Sequence, residues 1–376
     1  MTDLKTYFDE QRQDMLDLLT DLVEIESPSK DKVAVDNMSA KMAALFEAQG
    51  ASVERVAREE VGDIIIGTWN ANAGGKPIVI LSHVDTVWDI GTVAERPVRL
   101  EDDGRMYGPG IVDMKGGIVI ALYAIKGLLD RDELPDRPII YVATTDEEIG
   151  SRHSKALIEE TADGAALVLV TEPPTGDGSL KTWRKGVANY KLNITGKASH
   201  AGNEPEMGVN AIVEFAQHTM ELTKLNDYKN GTSVSVTTVQ GGTATNVIPA
   251  NLEARIDVRA MTDNVYQRVH EKIMERLPFI PGAQVNIERL HYRPPMERDG
   301  ATFEQAKKIA SNEGITIRED GAGGGSDGNF TAAMGIPTLD GMGAEGGGLH
   351  ALHEHVLVNS LPKKAALMAA ILRDWE

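Results

Sequence analysis

Oxygen and nitrogen donors cluster at five short places in the chain. Ser82-His83-Val84-Asp85-Thr86-Val87 sets an imidazole two residues before a carboxylate. Asp113 stands on a glycine-flanked turn that opens a helix, Tyr107-Gly108-Pro109-Gly110-Ile111-Val112-Asp113-Met114-Lys115-Gly116-Gly117. Asp146-Glu147-Glu148 puts three acids in a row, and Thr171-Glu172-Pro173-Pro174 adds another. Gly348-Leu349-His350-Ala351-Leu352-His353-Glu354-His355 holds three histidines in six residues. Singly, each has a bland reading. His83 could be a hydrogen-bonded core histidine, Asp113 a helix cap, and the acidic run a solvated loop in a chain with 57 acids. Glu172 could sit on an exposed turn, and the late histidines on a solvated loop. Together, two histidines and three carboxylates, with a spare Glu beside one of them, suit a pair of divalent ions bound without sulfur: zinc, or manganese or cobalt. Two such ions carry a charge that three carboxylates and one hydroxide balance. With no cysteine, thiolate ligands, thiol nucleophiles and disulfides are excluded, and the chain has no G-x-S-x-G serine elbow.

These donors need a scaffold that brings them together. Residues 63–69, 77–83, 138–145 and 165–171 are short apolar runs that read as strands, and most of the donor motifs begin where one of them ends. Helical stretches at 4–26, 32–48 and 116–129 alternate with them. This predicts an α/β layer on a mostly parallel sheet, whose strand ends are the usual place for a site. The pattern then changes. Strands at 187–195, 232–240, 252–260 and 284–291 and helices at 209–225 and 264–277 follow the order β-α-β-β-α-β of a ferredoxin-like α+β unit. Helix 301–312 and short strands at 315–318 and 337–340 resume the first layer. We therefore expect a discontinuous domain, 1–182 and 294–376, with a second domain, 183–293, inserted in it.

The 376 residues fit two domains. A 41% hydrophobic content is enough for a core. The net charge of −19 argues against nucleic acid and against an anionic membrane surface as partners. No apolar run reaches the ~18 residues of a membrane span, and the first residues show no basic, apolar leader. A cytoplasmic location is expected.

The motifs S-H-V-D-T-V, G-P-G-I-V-D-M-K-G-G, T-D-E-E-I-G-S, T-E-P and H-x-x-x-E occur in that order. I-T-G-K-A-S-H-A-G and G-G-T-A-T-N-V-I-P-A lie inside the inserted segment. From about residue 77 to 358 the chain resembles the dinuclear-zinc amidohydrolase family of glutamate carboxypeptidase, succinyl-diaminopimelate desuccinylase, acetylornithine deacetylase and related di- and tripeptidases. T-D-E-E-x-G-S and N-I-T-G-K-A-S-H-A-G are most similar to the bacterial glutamate carboxypeptidases.

The resemblance implies a zinc-hydrolase catalytic domain with an inserted lid and dimerisation domain. It implies two Zn2+ per chain (Co2+ or Mn2+ being alternatives), with His83 and Glu172 on one ion, Glu148 and His350 on the other, and Asp113 bridging them through a turn whose Asp113–Met114 peptide is cis. Glu147 would be the general base, and Asp85 would orient His83. His200 and Asn246 would come from the lid, in many members from the partner subunit of a homodimer joined through the inserted domain. Arg259 would read a substrate carboxylate, helped by backbone N–H groups of Gly323, Gly324, Gly325 and Ser326. The substrate would be a small peptide or an N-acyl amino acid, cleaved next to a C-terminal residue, with N-acyl amino acid deacylation or desuccinylation as the alternative. Two positions depart from the pattern. The lysine that reads glutamate in glutamate-releasing members is matched only by an offset Lys181, with Lys185 or Arg293 as substitutes. Met114 stands where some members carry a second Asp.

Overall fold

The computed structural model describes residues 3–376; residues 1 and 2, at the head of the expected first segment, lie outside the described residues. The chain divides into two units, and Gly323–Gly325 groups with the second, Arg184–Glu297.

The first unit is built on a six-stranded sheet in the order Ser52–Val56, Ile64–Trp69, Ile139–Thr144, Ile78–His83, Leu167–Val170, Thr338–Leu339. The last four pair in parallel, and the first two join antiparallel at one edge. The strands Ile78–His83 and Leu167–Val170 are buried along their whole length. That is why they read as unbroken Val/Ile/Leu runs rather than as alternating ones. Helix Gly116–Asp130 is buried almost all round, as is the C-terminal helix Ser360–Asp374. Register sets the site: His83 pairs with Thr144, and Leu81 pairs with Val170, so the three parallel strands end within two residues of one another. His83, the Glu147–Glu148 loop and Glu172 therefore leave the sheet at the same rim.

Two local expectations differ. The first helical stretch is two helices, Leu4–Glu10 and Arg12–Glu24, because Gln11 leaves helical geometry at ψ 2° and its N–H turns back to the carbonyl of Phe8. Residues 315–318 form no ladder. Ile315 is anchored in the core, and pairing starts only at Glu319–Ala322, beside Leu180–Arg184.

The second unit is an antiparallel sheet in the order Ser233–Gly241, Asn251–Ala260, Gly186–Thr195, Gln284–Arg293. Helices Ala211–Thr223 and Asp263–Met274 cross over in the β-α-β-β-α-β order. Burial alternates strictly along Asn251–Ala260, the mark of a sheet with one face on a core and one outside. Tyr190, Leu192, Ile256, Val258 and Tyr266 form that core. The second helix stops short of residue 277, since Pro278 disfavours helical geometry in the residue before it. Among the described residues no helix is long and apolar enough to cross a membrane.

Candidate metal centre

His83 ends its strand and is 2% exposed. Its Nδ1 lies 2.9 Å from the backbone carbonyl oxygen of Asp85. A carbonyl can only accept, so Nδ1 carries a proton and Nε2 faces the site. Nε2 is 3.1 Å from Asp113 Oδ1 and 3.6 Å from Glu172 Oε1. Asp113 turns its other oxygen to a second imidazole: Oδ2 is 3.4 Å from His350 Nε2, which is itself 3.2 Å from Glu148 Oε2. One carboxylate thus spans two histidines, each with a further glutamate. The Asp113–Met114 peptide is cis, as the resemblance implied. His350 sits at φ +57°, reached through Gly348 at φ +76°. A Cβ on Gly348 would come within 2.8 Å of the backbone of His353 and Glu354, so the turn needs glycine there. His353 and His355 stay outside the cluster; the His355 ring lies near Tyr107 and its Nδ1 near the His353 carbonyl.

The carboxylate of Asp85 is wholly buried, and its nearer oxygen is 3.5 Å from His83 Nδ1. Its strongest partners are elsewhere. It accepts the backbone N–H groups of Glu147 and Glu148, each at 3.2 Å, and the hydroxyl of Ser29 at 2.6 Å. Asp85 therefore ties the acidic loop to the strand end that carries His83. Asp327 holds the same loop from the Gly-rich side, accepting from Thr144 Oγ1 at 3.1 Å and Ser151 Oγ at 2.5 Å. Glu172 is cradled by two glycines. A Cβ on Gly117 would lie 2.0 Å from the Thr171 carbonyl, and one on Gly343 would lie 2.2 Å from it. Atoms of His83, Glu147 and Glu172 lie within 4.8 Å of one another, and so do atoms of His83, Asp113 and Glu148.

The electrostatics ask for positive charge. Burial raises Asp113, but hydrogen bonds from His350 and His83 outweigh it and hold the carboxyl well below its usual range. Burial, with the charges of Asp113 and Glu147 adding to it, lifts Glu148 to about 7 against the His350 hydrogen bond. Hydrogen bonds to Asp113 and Glu148 lift His350 to about 10. Burial should lower His83, yet Asp113, Asp85 and Glu172 together raise it well above the ordinary value. A neutral His83 would aim its Nε2 lone pair at two carboxylates, which is repulsive unless a cation lies between them. Glu148 Oε1 is buried with no hydrogen-bond partner among the described residues, a costly arrangement unless a ligand satisfies it. The donors present fit divalent ions.

The second unit carries its own cluster. His200 lies in a two-residue strand paired with Val247, and the carbonyl of Asn246 accepts the N–H of Ala201 at 2.9 Å. His200 Nδ1 accepts backbone N–H groups from Gly202 at 3.1 Å and Asn203 at 3.0 Å. Its proton therefore sits on Nε2, on an exposed ring. Arg259 forms a two-point ion pair with Asp257, at 2.9 and 3.0 Å, and donates to the Gly323 carbonyl. Gly324 is exposed and Gly325 half-buried. The carbonyls of both lie near Arg184. Ser326, in the first unit, is buried, and its N–H is committed to Asn329 Oδ1 at 2.9 Å. Lys181 is buried within the strand Leu180–Arg184.

Ser29, Asp327 and Gly343, which hold or make room for the segments carrying these donors, were not singled out by sequence reasoning. Each acts through a partner remote in sequence, and none stands in a pattern that names its chemistry.

Residues 79–374 match the family model described as Peptidase family M20/M25/M40. The chain is 34% identical over 322 residues to carboxypeptidase G2 of Pseudomonas sp. (strain RS-16), covering 84% of this chain and 77% of that one. It is 28% identical over 334 residues to succinyl-diaminopimelate desuccinylase of Ectopseudomonas mendocina, covering 83% and 86%. The crystal structure of aminopeptidase PepT from Bacillus cereus superposes with a TM-score of 0.79 at 25% identity, over 96% of this chain and 98% of that one.

Proposed function

The chain belongs to peptidase family M20/M25/M40 and is a metallohydrolase of peptide or amide C–N bonds; within that activity we propose that it releases a C-terminal amino acid from a small peptide or N-acyl amino acid. The observation that carries this reading is the single carboxylate, Asp113, shared by two histidines that each have their own glutamate.

In this reading His83, Glu172 and Asp113 would hold one ion, and Asp113, Glu148 and His350 would hold the other. Zn2+ fits the oxygen and nitrogen donors, as Co2+ or Mn2+ would. When bound, such ions supply Lewis acidity that polarises the scissile carbonyl and acidifies water near neutral pH. Everything else falls to the chain's own groups. The Glu147 carboxylate takes a proton from the attacking water and returns it to the leaving nitrogen. Asp85 keeps Glu147 in place by holding its backbone N–H. His200, with its proton fixed on Nε2, donates to the carbonyl oxygen as that oxygen gains charge. Arg259 binds the terminal carboxylate of the substrate, exchanging part of its pairing with Asp257, while Asn246 and the N–H groups of Gly324 and Gly325 line the same end.

We place the protein in the cytoplasm as a homodimer joined through the inserted unit. Strand Ser233–Gly241 is one edge of that unit's sheet; Val239 on it, and Ile212, Val213 and Met220 on helix Ala211–Thr223, are exposed apolar residues. Open edges and apolar patches of this kind are commonly covered by a partner. The likeness to a desuccinylase supports a second reading, N-acyl amino acid deacylation at the same centre. A hydrolysis screen of the zinc-loaded protein, varying the acyl group and the C-terminal residue separately, tests both. Preference set by the C-terminal residue supports the carboxypeptidase, and preference set by the acyl group supports the deacylase. Release of no amino acid from any substrate would overturn both.

A further inference from the structure

Glu354 is 0% exposed, and both oxygens of its carboxylate are fully engaged. Oε1 accepts the backbone N–H groups of Val112 at 3.0 Å and Asp113 at 3.2 Å. Oε2 accepts the N–H of Gly110 at 2.9 Å and the indole N–H of Trp88 at 2.7 Å. Its own N–H closes the turn that carries His350, donating to Ala351 at 3.0 Å. Three segments therefore meet on one side chain: the loop after strand Ile78–His83, the Asp113 turn and the His350 turn.

We propose that Glu354 is a positioning residue for the half of the metal centre formed by Asp113, Glu148 and His350, fixing how far apart Asp113 and His350 stand. The argument is geometric. His350 lies on a turn with its side chain half exposed, yet it must meet an oxygen of a buried aspartate. Glu354 is four residues from His350 and bonds directly to the N–H of Asp113, so it references one ligand to the other. Four converging N–H donors need an acceptor-only group, which an ionised carboxylate is and an amide is not. The proposal rests on the dinuclear reading above.

The test uses Glu354→Gln and Glu354→Asp. Gln keeps the shape but points an NH2 group at N–H donors. Asp keeps the charge but shortens the reach by one methylene. Each metal-free protein is titrated with Zn2+ by calorimetry, with circular dichroism as the check on folding. Supporting groups behind metal ligands change affinity by about 10- to 100-fold. In Glu354→Gln we expect one ion to bind as in the wild type and the second to bind weaker by that factor. Glu354→Asp should fall between. If Glu354→Gln does not fold, Glu354→Asp decides on the same readout. Two ions bound with wild-type affinities in the folded variants would overturn the proposal. Equal weakening of both ions, or loss of fold in both variants, would make Glu354 a general stability residue and overturn it too. A wild-type chain that binds no Zn2+ would instead defeat the dinuclear reading itself, so the two failures are told apart.

Discussion

The two histidines of the candidate centre offer the same donor atom from opposite kinds of structure. His83 ends a buried parallel strand, has its far nitrogen on a backbone carbonyl and is 2% exposed. Its partner Glu172 follows another buried strand and is wedged between two glycines. His350 lies on a left-handed turn with its side chain 53% exposed, and its partner Glu148 lies on a short loop hung from Asp85. One half of the site is an extension of the core; the other is assembled from loops. Stiffness should therefore differ between the halves even though the ligand types do not.

The largest effect tests which half the reacting proton belongs to. Glu147 shares a cluster with His83 and Glu172, but its neighbour Glu148 serves His350. Glu147→Gln should lower kcat by about two to four orders of magnitude, the range of general acid–base catalysis, with both ions retained. Elemental analysis showing one ion lost would place Glu147 among the ligands and break the division. His200→Ala tests a group outside both halves. It should lower kcat by about two to three orders of magnitude, as for a lost oxyanion donor, at unchanged metal content. Mixing His200→Ala chains with Glu147→Ala chains then asks whose site His200 completes. Recovered activity after subunit exchange means donation across a dimer; no recovery despite proven exchange means that it acts within its own chain.

The halves themselves separate on ligand removal. His350→Ala should weaken one ion by about 10- to 100-fold or more with little change in melting temperature, since its ring is half in solvent. His83→Ala should lower metal affinity and melting temperature together, because it removes the buried imidazole that faces the Asp113 and Glu172 carboxylates. Similar melting temperatures for the two variants would erase the contrast. His353→Ala should match the wild type in both measurements.

The smallest effect is a pH slope. In the metal-free chain His350 is held at about 10 and Glu148 at about 7, so at neutral pH an incoming ion must displace protons. Metal affinity should fall as pH falls, by about tenfold per unit for each proton displaced, and most steeply below about 7, where Glu148 is protonated as well. Calorimetry in two buffers of different ionisation enthalpy counts those protons. Affinity that does not change between pH 8 and 6 would contradict the charge balance described above.

Much of this was legible in the sequence because metal chemistry restricts residue types and parallel sheets restrict where they stand. The apolar runs before His83, Glu147 and Glu172 mark strands, and a donor just after such a run lands on the sheet's rim. The alternation from residue 187 onward marks a different kind of sheet, and its four strands and two helices appear in the expected order. Local reading failed at Gln11, at residues 315–318 and at the end of the helix before residue 277, and it passed over strand Ser52–Val56 and helices Lys155–Ala162 and Ser360–Asp374.

The sequence by itself determined the candidate donor types, the family and the α/β scaffold with its inserted unit, since each follows from local composition, periodicity or motif order. Tertiary structure alone decided how the site is held. Asp85 takes a hydroxyl from Ser29, 56 residues away, and Glu354 takes an amide from Gly110, 244 residues away. It also decided that Asp85 touches His83 through its carbonyl, that Arg259 waits on Asp257, and that the His200 proton is on Nε2. The physical reason is that hydrogen bonds act over about 3 Å and take no account of separation along the chain. Which donor finds which acceptor is fixed only when the strands have set their register.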